Sequence, residues 1–340
     1  MKTSTLRLAI TIDTELDNQW DVAPTAPTFR NTQELAPLHE AIRGAGFLPT
    51  YLVTYSVARD EPSRALLRSW LEAGECEVGA HLHAWETPPL WNDQPHIHSY
   101  IYEYPTEVRR EKLRVLTEQL RASFGVAPRS YRAGRWGVDA TEIAHLAELG
   151  YRVDTSVVPG VSFRRSLGRR QPGPSFAPLL GRRIAQFPLD AASEQQRLRE
   201  VPVSTAPLGA LHSPAAARTA ATLTWALPTP LARVAAKALK VCGLLSVAWL
   251  RPGMFSLPEM QQVADWSLRQ GAGPLNLAFH SSEAVLHTSP LTETEEALER
   301  FYAGLGGILA YVRDTYGVSD VTLSGATDPG EADGAPAPTG

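Results

Sequence analysis

Leu6-Arg7-Leu8-Ala9-Ile10-Thr11-Ile12 runs into Asp13-Thr14-Glu15, and Glu77-Val78-Gly79-Ala80 runs into His81-Leu82-His83. Both stretches read as buried strands that end abruptly in side chains able to do chemistry. In extended backbone, positions i and i+2 share a face. Asp13 and Glu15 therefore point together, with Thr14 opposite, and His81 and His83 do the same. Two acids on one face suit metal binding or general-base work, although a helix cap or a surface pair would show the same letters. Two imidazoles at this spacing can chelate one ion, and buried histidines need a metal or a carboxylate partner. Two hydrogen-bonded histidines at the start of a loop are the simpler alternative. Gly79 fits a close backbone approach within the strand.

Helices and strands alternate outward from these two stretches. Helices are expected over 33–45, 63–73, 107–124, 139–150, 257–270 and from Thr292 to about Tyr316. Strands are expected over 50–54, 129–133, 151–157, 184–187, 200–203, 275–279 and 320–323. Asp139 with Glu142, and Thr292 with Glu295, have capping-box spacing. The helix over 107–124 sets Leu113, Leu116, Leu120 and Phe124 on one side. Strands separated by helices make βα units on a parallel sheet, and about seven such units imply an α/β fold closed as a distorted (β/α)7 barrel. The chain is expected to form a single domain over 1–325, with a helical insertion at about 205–256 and a disordered tail at 326–340. In such a barrel, chemistry sits at the C-terminal ends of the strands.

Composition narrows the possibilities. Hydrophobic residues make up 44% of 340, enough for a large core, and 32 Lys+Arg against 36 Asp+Glu leave a net charge of −4. Nothing in that balance favours a nucleic-acid partner. The only cysteines are Cys76 and Cys242, too few for a disulfide scaffold or a four-thiolate zinc site. No apolar window is long enough for a transmembrane helix: the nearest candidate, 231–250, is broken by Arg233, Lys237 and Lys240. The first residues lack the apolar core of a signal peptide, and the reading is a cytoplasmic protein.

Other candidates fall at strand ends. His280 closes Leu275-Asn276-Leu277-Ala278-Phe279 and is either a general acid/base or a histidine at the edge of the core. Arg132 and Arg135 flank Ala133-Gly134, and an arginine there can orient a carboxylate through a bidentate contact or make a surface ion pair. Trp85, Trp91 and Trp136 lie near these sites and can stack on a sugar ring or simply pack. His96 and His98 repeat the H-x-H spacing inside a loop, where no strand holds them in register.

In order, the chain carries T-I-D-T-E, G-A-H-L-H-A-W, S-Y-R-A-G-R-W-G, V-D-T-S and L-A-F-H-S-S-E. This series resembles the polysaccharide deacetylase (NodB-homology) family, in an atypical branch, over roughly residues 6–325. The resemblance implies a (β/α)7 barrel that removes acetyl groups from sugars with one divalent metal. It makes Asp13 the catalytic base. The next carboxylate of the family motif is replaced by Thr14, leaving Glu15 as the nearest substitute ligand. His81 matches the first histidine of H-x-x-x-H. The fourth position on is Trp85, so His83 takes the second ligand's part. Arg132 would hold Asp13, Asp154 would fall in the substrate region with Trp85 and Trp136, and His280 would be the general acid. Two imidazoles and a carboxylate suit Zn2+ best. The implied activity is hydrolysis of the acetyl amide of an N-acetylated sugar or glycan precursor, without nucleic acid and with peripheral membrane contact open to the insertion. A metal-independent amide hydrolase and a catalytically silent glycan-binding protein are the competing readings.

Overall fold

The computed structural model describes residues 7–18, 28–90, 100–166, 168, 171–182, 198–211, 213–225, 229–270, 273–317 and 319–327. In chain order the first elements are β1 (Arg7–Thr14), α1 (Arg30–Gln33), α2 (Ala36–Gly44), β2 (Pro49–Val53), α3 (Glu61–Glu72) and β3 (Glu77–Leu82). Next come α4 (Thr106–Phe124), β4 (Ser130–Ala133), α5 (Ala140–Leu149), β5 (Val153–Asp154) and β6 (Arg199–Glu200). The chain continues with β7 (Thr205–Leu208), α6 (Pro214–Trp225), α7 (Pro230–Val241) and β8 (Ser246–Trp249). It closes with α8 (Leu257–Arg269), β9 (Leu275–His280), α9 (Glu295–Tyr316) and β10 (Ser319–Asp320).

Seven parallel strands in the order β9-β1-β2-β3-β4-β5-β6 make a curled sheet, and short β10 pairs with the start of β1. This is the α/β barrel that the alternation of helices and strands implies, with the helices covering its outside. The residues just past β6 reach β9 through scattered bonds: Ser204 N–H donates to the Asn276 carbonyl at 3.0 Å, Asn276 N–H donates to the Ser204 hydroxyl at 2.9 Å, and the Asn276 side-chain amide reaches the Val201 carbonyl at 3.1 Å.

Below the strand ends, part of the barrel interior is a buried polar network. Thr11 Oγ1 donates to the Asn276 side-chain carbonyl at 2.8 Å, and the Asn276 amide donates to Thr155 Oγ1 at 2.7 Å. Thr155 Oγ1 in turn donates to the Val201 carbonyl at 2.7 Å. A connected network of this kind is tolerable in a core because each member has its partner. It joins β1, β5 and β9 and forms the floor beneath the site.

The helices bury the faces that the sequence pattern selects. Leu113, Leu116, Leu120 and Phe124 of α4 are all buried. On α9 the buried stripe is Phe301, Leu305, Ile308, Leu309 and Val312, with Leu298 only half-buried. Two cap expectations need correction. Thr292 does not open α9; its hydroxyl lies inside the protein, hydrogen-bonded to the Ser282 and Val285 carbonyls, and Thr294 caps the helix by accepting from Ala297 N–H at 3.3 Å. Asp139 does cap α5, accepting from Glu142 N–H at 3.0 Å, but the Glu142 carboxyl turns inward instead of completing the box and accepts from the Tyr131 hydroxyl. A third correction concerns 200–203: the strand covers only Arg199–Glu200, which pairs with β5 in parallel. The strands expected over 151–157 and 320–323 likewise shrink to Val153–Asp154 and Ser319–Asp320.

Glu142 makes folding sensitive to pH. Burial pushes its carboxyl well above 4.5. The unfolded chain ionises this group at its ordinary value while the folded chain keeps the proton, so stability falls as pH rises above 4.5 until the raised value is passed. Glu142→Gln is expected to flatten the decline in unfolding free energy between pH 5 and pH 8, by up to ~1.4 kcal/mol per pH unit within the window. Denaturant melts at several pH values measure this, and identical slopes in both proteins would contradict it. Some slope should remain, because burial also raises Asp154 and Glu200.

Residues 205–249 leave the barrel as an antiparallel pair, β7 with β8, in register from Thr205 opposite Trp249 to Leu208 opposite Ser246. Helices α6 and α7 are carried between the two strands. No helix among the described residues is long and apolar enough to cross a membrane. The strand expected over 184–187, Trp91, His96, His98 and residues 328–340 of the expected tail lie outside the described residues.

Candidate functional site

Sheet register sets the site. Asp13 on β1 lies beside His280 on β9, and His81 on β3 lies beside Arg132 on β4. The i,i+2 rule then places Glu15 and His83 one step further along the same faces. Six side chains from four strand ends thus meet at the C-terminal mouth of the barrel. Asp13, Glu15, His81, His83 and Arg132 are buried, and His280 is partly open. Gly134, just past β4, makes room for the group: a Cβ there would stand 2.9 Å from His83 Cδ2 and 2.5 Å from the Leu82 carbonyl oxygen.

Arg132 is the fully buried cation of the site. It donates to Asp13 Oδ1 at 2.6 Å, to Thr11 Oγ1 at 2.7 Å and to the Thr155 carbonyl at 3.0 Å. Burial pushes the Asp13 carboxyl up, but Arg132, with His81 and His280, more than offsets this and holds it below its ordinary value. Asp13 is therefore an ionised, aimed carboxylate with its second oxygen 3.7 Å from His280 Nε2.

Glu15 is the hub of the second cluster. Its Oε2 lies 3.1 Å from His83 Nε2 and 3.7 Å from His81 Nε2, and its Oε1 lies 4.0 Å from His280 Nε2. Burial opposes ionisation of Glu15, yet His280, His81 and His83 hold it well below the usual carboxylate range. His83 is pushed down by burial and up by Glu15 and Glu86, settling at about 9.

The sequence reading missed the support behind His280. Glu283 Oε1 lies 2.7 Å from His280 Nδ1, accepts from the His280 backbone N–H at 3.0 Å and takes Arg251 at 2.5 Å. Burial lowers the His280 pKa, but Glu15 and Glu283 outweigh it and the net shift is upward. His280 is thus biased toward the protonated form, with Nε2 turned to the cleft. The H-S-S-E spacing was a usable signal, since His280 and Glu283 stand as N-cap and N3 of a short helical turn. Arg251 gave no local signal; it arrives at the end of the excursion through β8.

Of the expected substrate residues, two touch side chains of the site. Trp85 stacks on His83 with ring centroids 4.2 Å apart. Trp136 lies against Arg132, whose guanidinium carbon is 5.0 Å from its ring, and meets Trp249 edge-on at 5.9 Å. Arg135 and Trp136 both hold positive φ, 56° and 62°, a strained backbone just past β4. Asp154 is a correction. It is fully buried, accepts from the Ser156 hydroxyl at 2.6 Å and stands beside Glu200, its register partner on β6, so it has no surface to offer a substrate.

No family model matches the chain, and no curated protein sequence does. Solved structures match across its length. A protein assigned as a polysaccharide deacetylase from Mycobacterium smegmatis is similar with a TM-score of 0.54 and 16% identity, covering 95% of this chain and 90% of that one. The 4-alpha-glucanotransferase of Thermococcus litoralis is similar at TM-score 0.50 and 11% identity, covering 95% of this chain and 40% of that one. The likeness is one of fold. The two neighbours carry different chemistries by name, so this chain's chemistry has to come from its own side chains.

Those side chains fit a divalent cation. Glu15, His81 and His83 each offer a ligand atom, all within 4.8 Å of one another and all buried. His81 Nδ1 is 3.0 Å from the Arg132 carbonyl, to which it must donate, so a neutral His81 turns the lone pair of Nε2 toward the Glu15 carboxylate. Two electron-rich atoms facing each other in a buried site require a proton or a cation between them. On the other side of the His83 ring, the Glu86 carboxylate lies 3.8 Å from Nδ1. Two imidazoles and one carboxylate form a three-ligand set of the kind that leaves a position open for chemistry.

Proposed function

We infer that the protein is a metal-assisted deacetylase acting on an acetylated sugar, with the acetyl amide of an N-acetylated sugar or glycan precursor as its substrate. One observation carries the reading: an ionised Asp13 and a histidine biased toward protonation, His280, face each other at 3.7 Å beside the Glu15-His81-His83 cluster. Hydrolysis of an amide needs a base for water, an acid for the leaving amine and an electrophilic aid for the carbonyl. Bound to Glu15, His81 and His83, a divalent ion would supply the last of these as a Lewis acid.

The protein's own groups supply the rest. Asp13 takes a proton from the attacking water, and Arg132 keeps it ionised and fixed while it does so. His280 gives its proton to the departing nitrogen, and Glu283 and Arg251 hold the ring in place for that transfer. Water and the sugar's acetamido group thus become acetate and a free amine on the sugar. Trp85 and Trp136 offer apolar faces to a sugar ring near the cleft. Glycosyl transfer would need a free carboxylate nucleophile, whereas Asp13 is tied to Arg132 and Glu15 to two histidines.

The test is acetate release from a panel of N- and O-acetylated mono- and oligosaccharides by the full chain reloaded with Zn2+. Acetate and free amine in equal amounts support the reading. No acetate from any member of the panel, with protein shown to hold metal, would overturn it.

A further inference from the structure

The α6–α7 excursion has a charge and a surface unlike the rest of the chain. From residue 205 to 249 there are four Lys/Arg and no Asp/Glu; elsewhere 28 Lys/Arg stand against 36 Asp/Glu. A protein with net charge −4 thus carries an acid-free segment of charge +4. Three of those cations, Arg233, Lys237 and Lys240, are exposed on α7 at i, i+4 and i+7, along one face.

The apolar residues of α7 are placed the wrong way round for a helix that only packs on its neighbours. The inward stripe is Ala232 and Ala236, with Leu239 half-buried. The large aliphatics point outward: Leu231 is 79% exposed, Val234 66% and Val241 75%. At i, i+3 and i+10 they fall on a face next to the cationic one. Leu244, just beyond the helix, and Leu223 in the last turn of α6 are also exposed. A contiguous apolar face beside a cationic face is the signature of a helix that lies in a lipid interface, and scattered surface leucines would not produce it.

We propose that α7 docks the protein on an anionic lipid surface, with Leu231, Val234 and Val241 entering the acyl boundary and Arg233, Lys237 and Lys240 meeting the headgroups. Charge complementarity selects this occupant. A second copy docked through the same face would bring its three α7 cations against these three, at a cost that anionic headgroups turn into a gain. The proposal is independent of the chemistry in the cleft, because binding is read without turnover.

The experiment is sedimentation of the full chain with vesicles of phosphatidylcholine alone and with vesicles containing 30 mol% phosphatidylglycerol. Binding is expected to the anionic vesicles, to weaken in 0.5 M salt and to be slight with phosphatidylcholine alone. The Lys237→Glu/Lys240→Glu variant should partition roughly tenfold or more weakly. Leu231→Ser/Val234→Ser should lose at least as much, with its melting temperature unchanged because both side chains are exposed. Cys242 is exposed and Cys76 buried, so an environment-sensitive fluorophore on Cys242 should shift to the blue on binding. Equal wild-type binding to both vesicle types would overturn the proposal, whatever the variants do. So would a concentration-dependent dimer, abolished by Leu231→Ser/Val234→Ser, in a protein that ignores anionic vesicles.

Discussion

His280→Ala should lower kcat for acetyl release by about 10²–10⁴-fold, the usual cost of losing a general acid, and change KM little. The leaving amine needs a proton mainly in the transition state, so the loss falls on kcat. The fold should survive. His280 is the partly open member of the site, and its removal leaves the Glu283–Arg251 ion pair at 2.5 Å intact, with no orphaned charge. A histidine needed only for structure would behave differently, with a lower melting temperature and all kinetic parameters depressed through a smaller folded fraction. Kinetics and thermal melting on the same preparation separate the two cases, and near-wild-type kcat in a well-folded variant would remove His280 from the mechanism.

Arg132→Met should be the most damaging substitution for stability, costing ~3–5 kcal/mol. It leaves the Asp13 carboxylate buried without its cation and close to Glu15. It also strips the Thr155 carbonyl and the Thr11 hydroxyl of a donor. Asp13→Asn added to Arg132→Met should give some of this stability back, because removing both members of a buried pair costs less than stranding one. Denaturant unfolding of the two single variants and the double variant measures the coupling. A loss below about 1 kcal/mol for Arg132→Met would mean that the buried pair is not the anchor its geometry indicates.

The parts of this structure legible in the sequence are those governed by short-range periodicity. Strand spacing alone aligns Asp13 with Glu15 and His81 with His83, and amphipathic spacing alone chooses the buried face of α4. The features that escaped are settled by partners far away along the chain. Thr292 has the right spacing from Glu295 to cap α9, but the Ser282 and Val285 carbonyls claim its hydroxyl and Thr294 caps instead. Glu142 completes half of a capping box because Tyr131, across the barrel wall, takes its carboxyl. Asp154 ends a strand at the level where substrate residues are expected, yet it is buried beside its strand neighbour Glu200 and accepts from the Ser156 hydroxyl. Arg251 reaches His280 only because the β7–β8 excursion returns its chain to the mouth of the barrel.

The division of labour at the end of β1 is open to direct measurement: calorimetric titration of Zn2+ into chelator-treated wild type, Asp13→Asn, Glu15→Gln and His83→Ala. One ion per chain should bind to wild type and to Asp13→Asn. In Glu15→Gln and His83→Ala the affinity should fall by more than the ~10–100-fold that loss of an outer partner costs. Zinc retained by Glu15→Gln and lost from Asp13→Asn, or no binding to wild type, would contradict the assignment of Glu15, His81 and His83 as the metal-holding set.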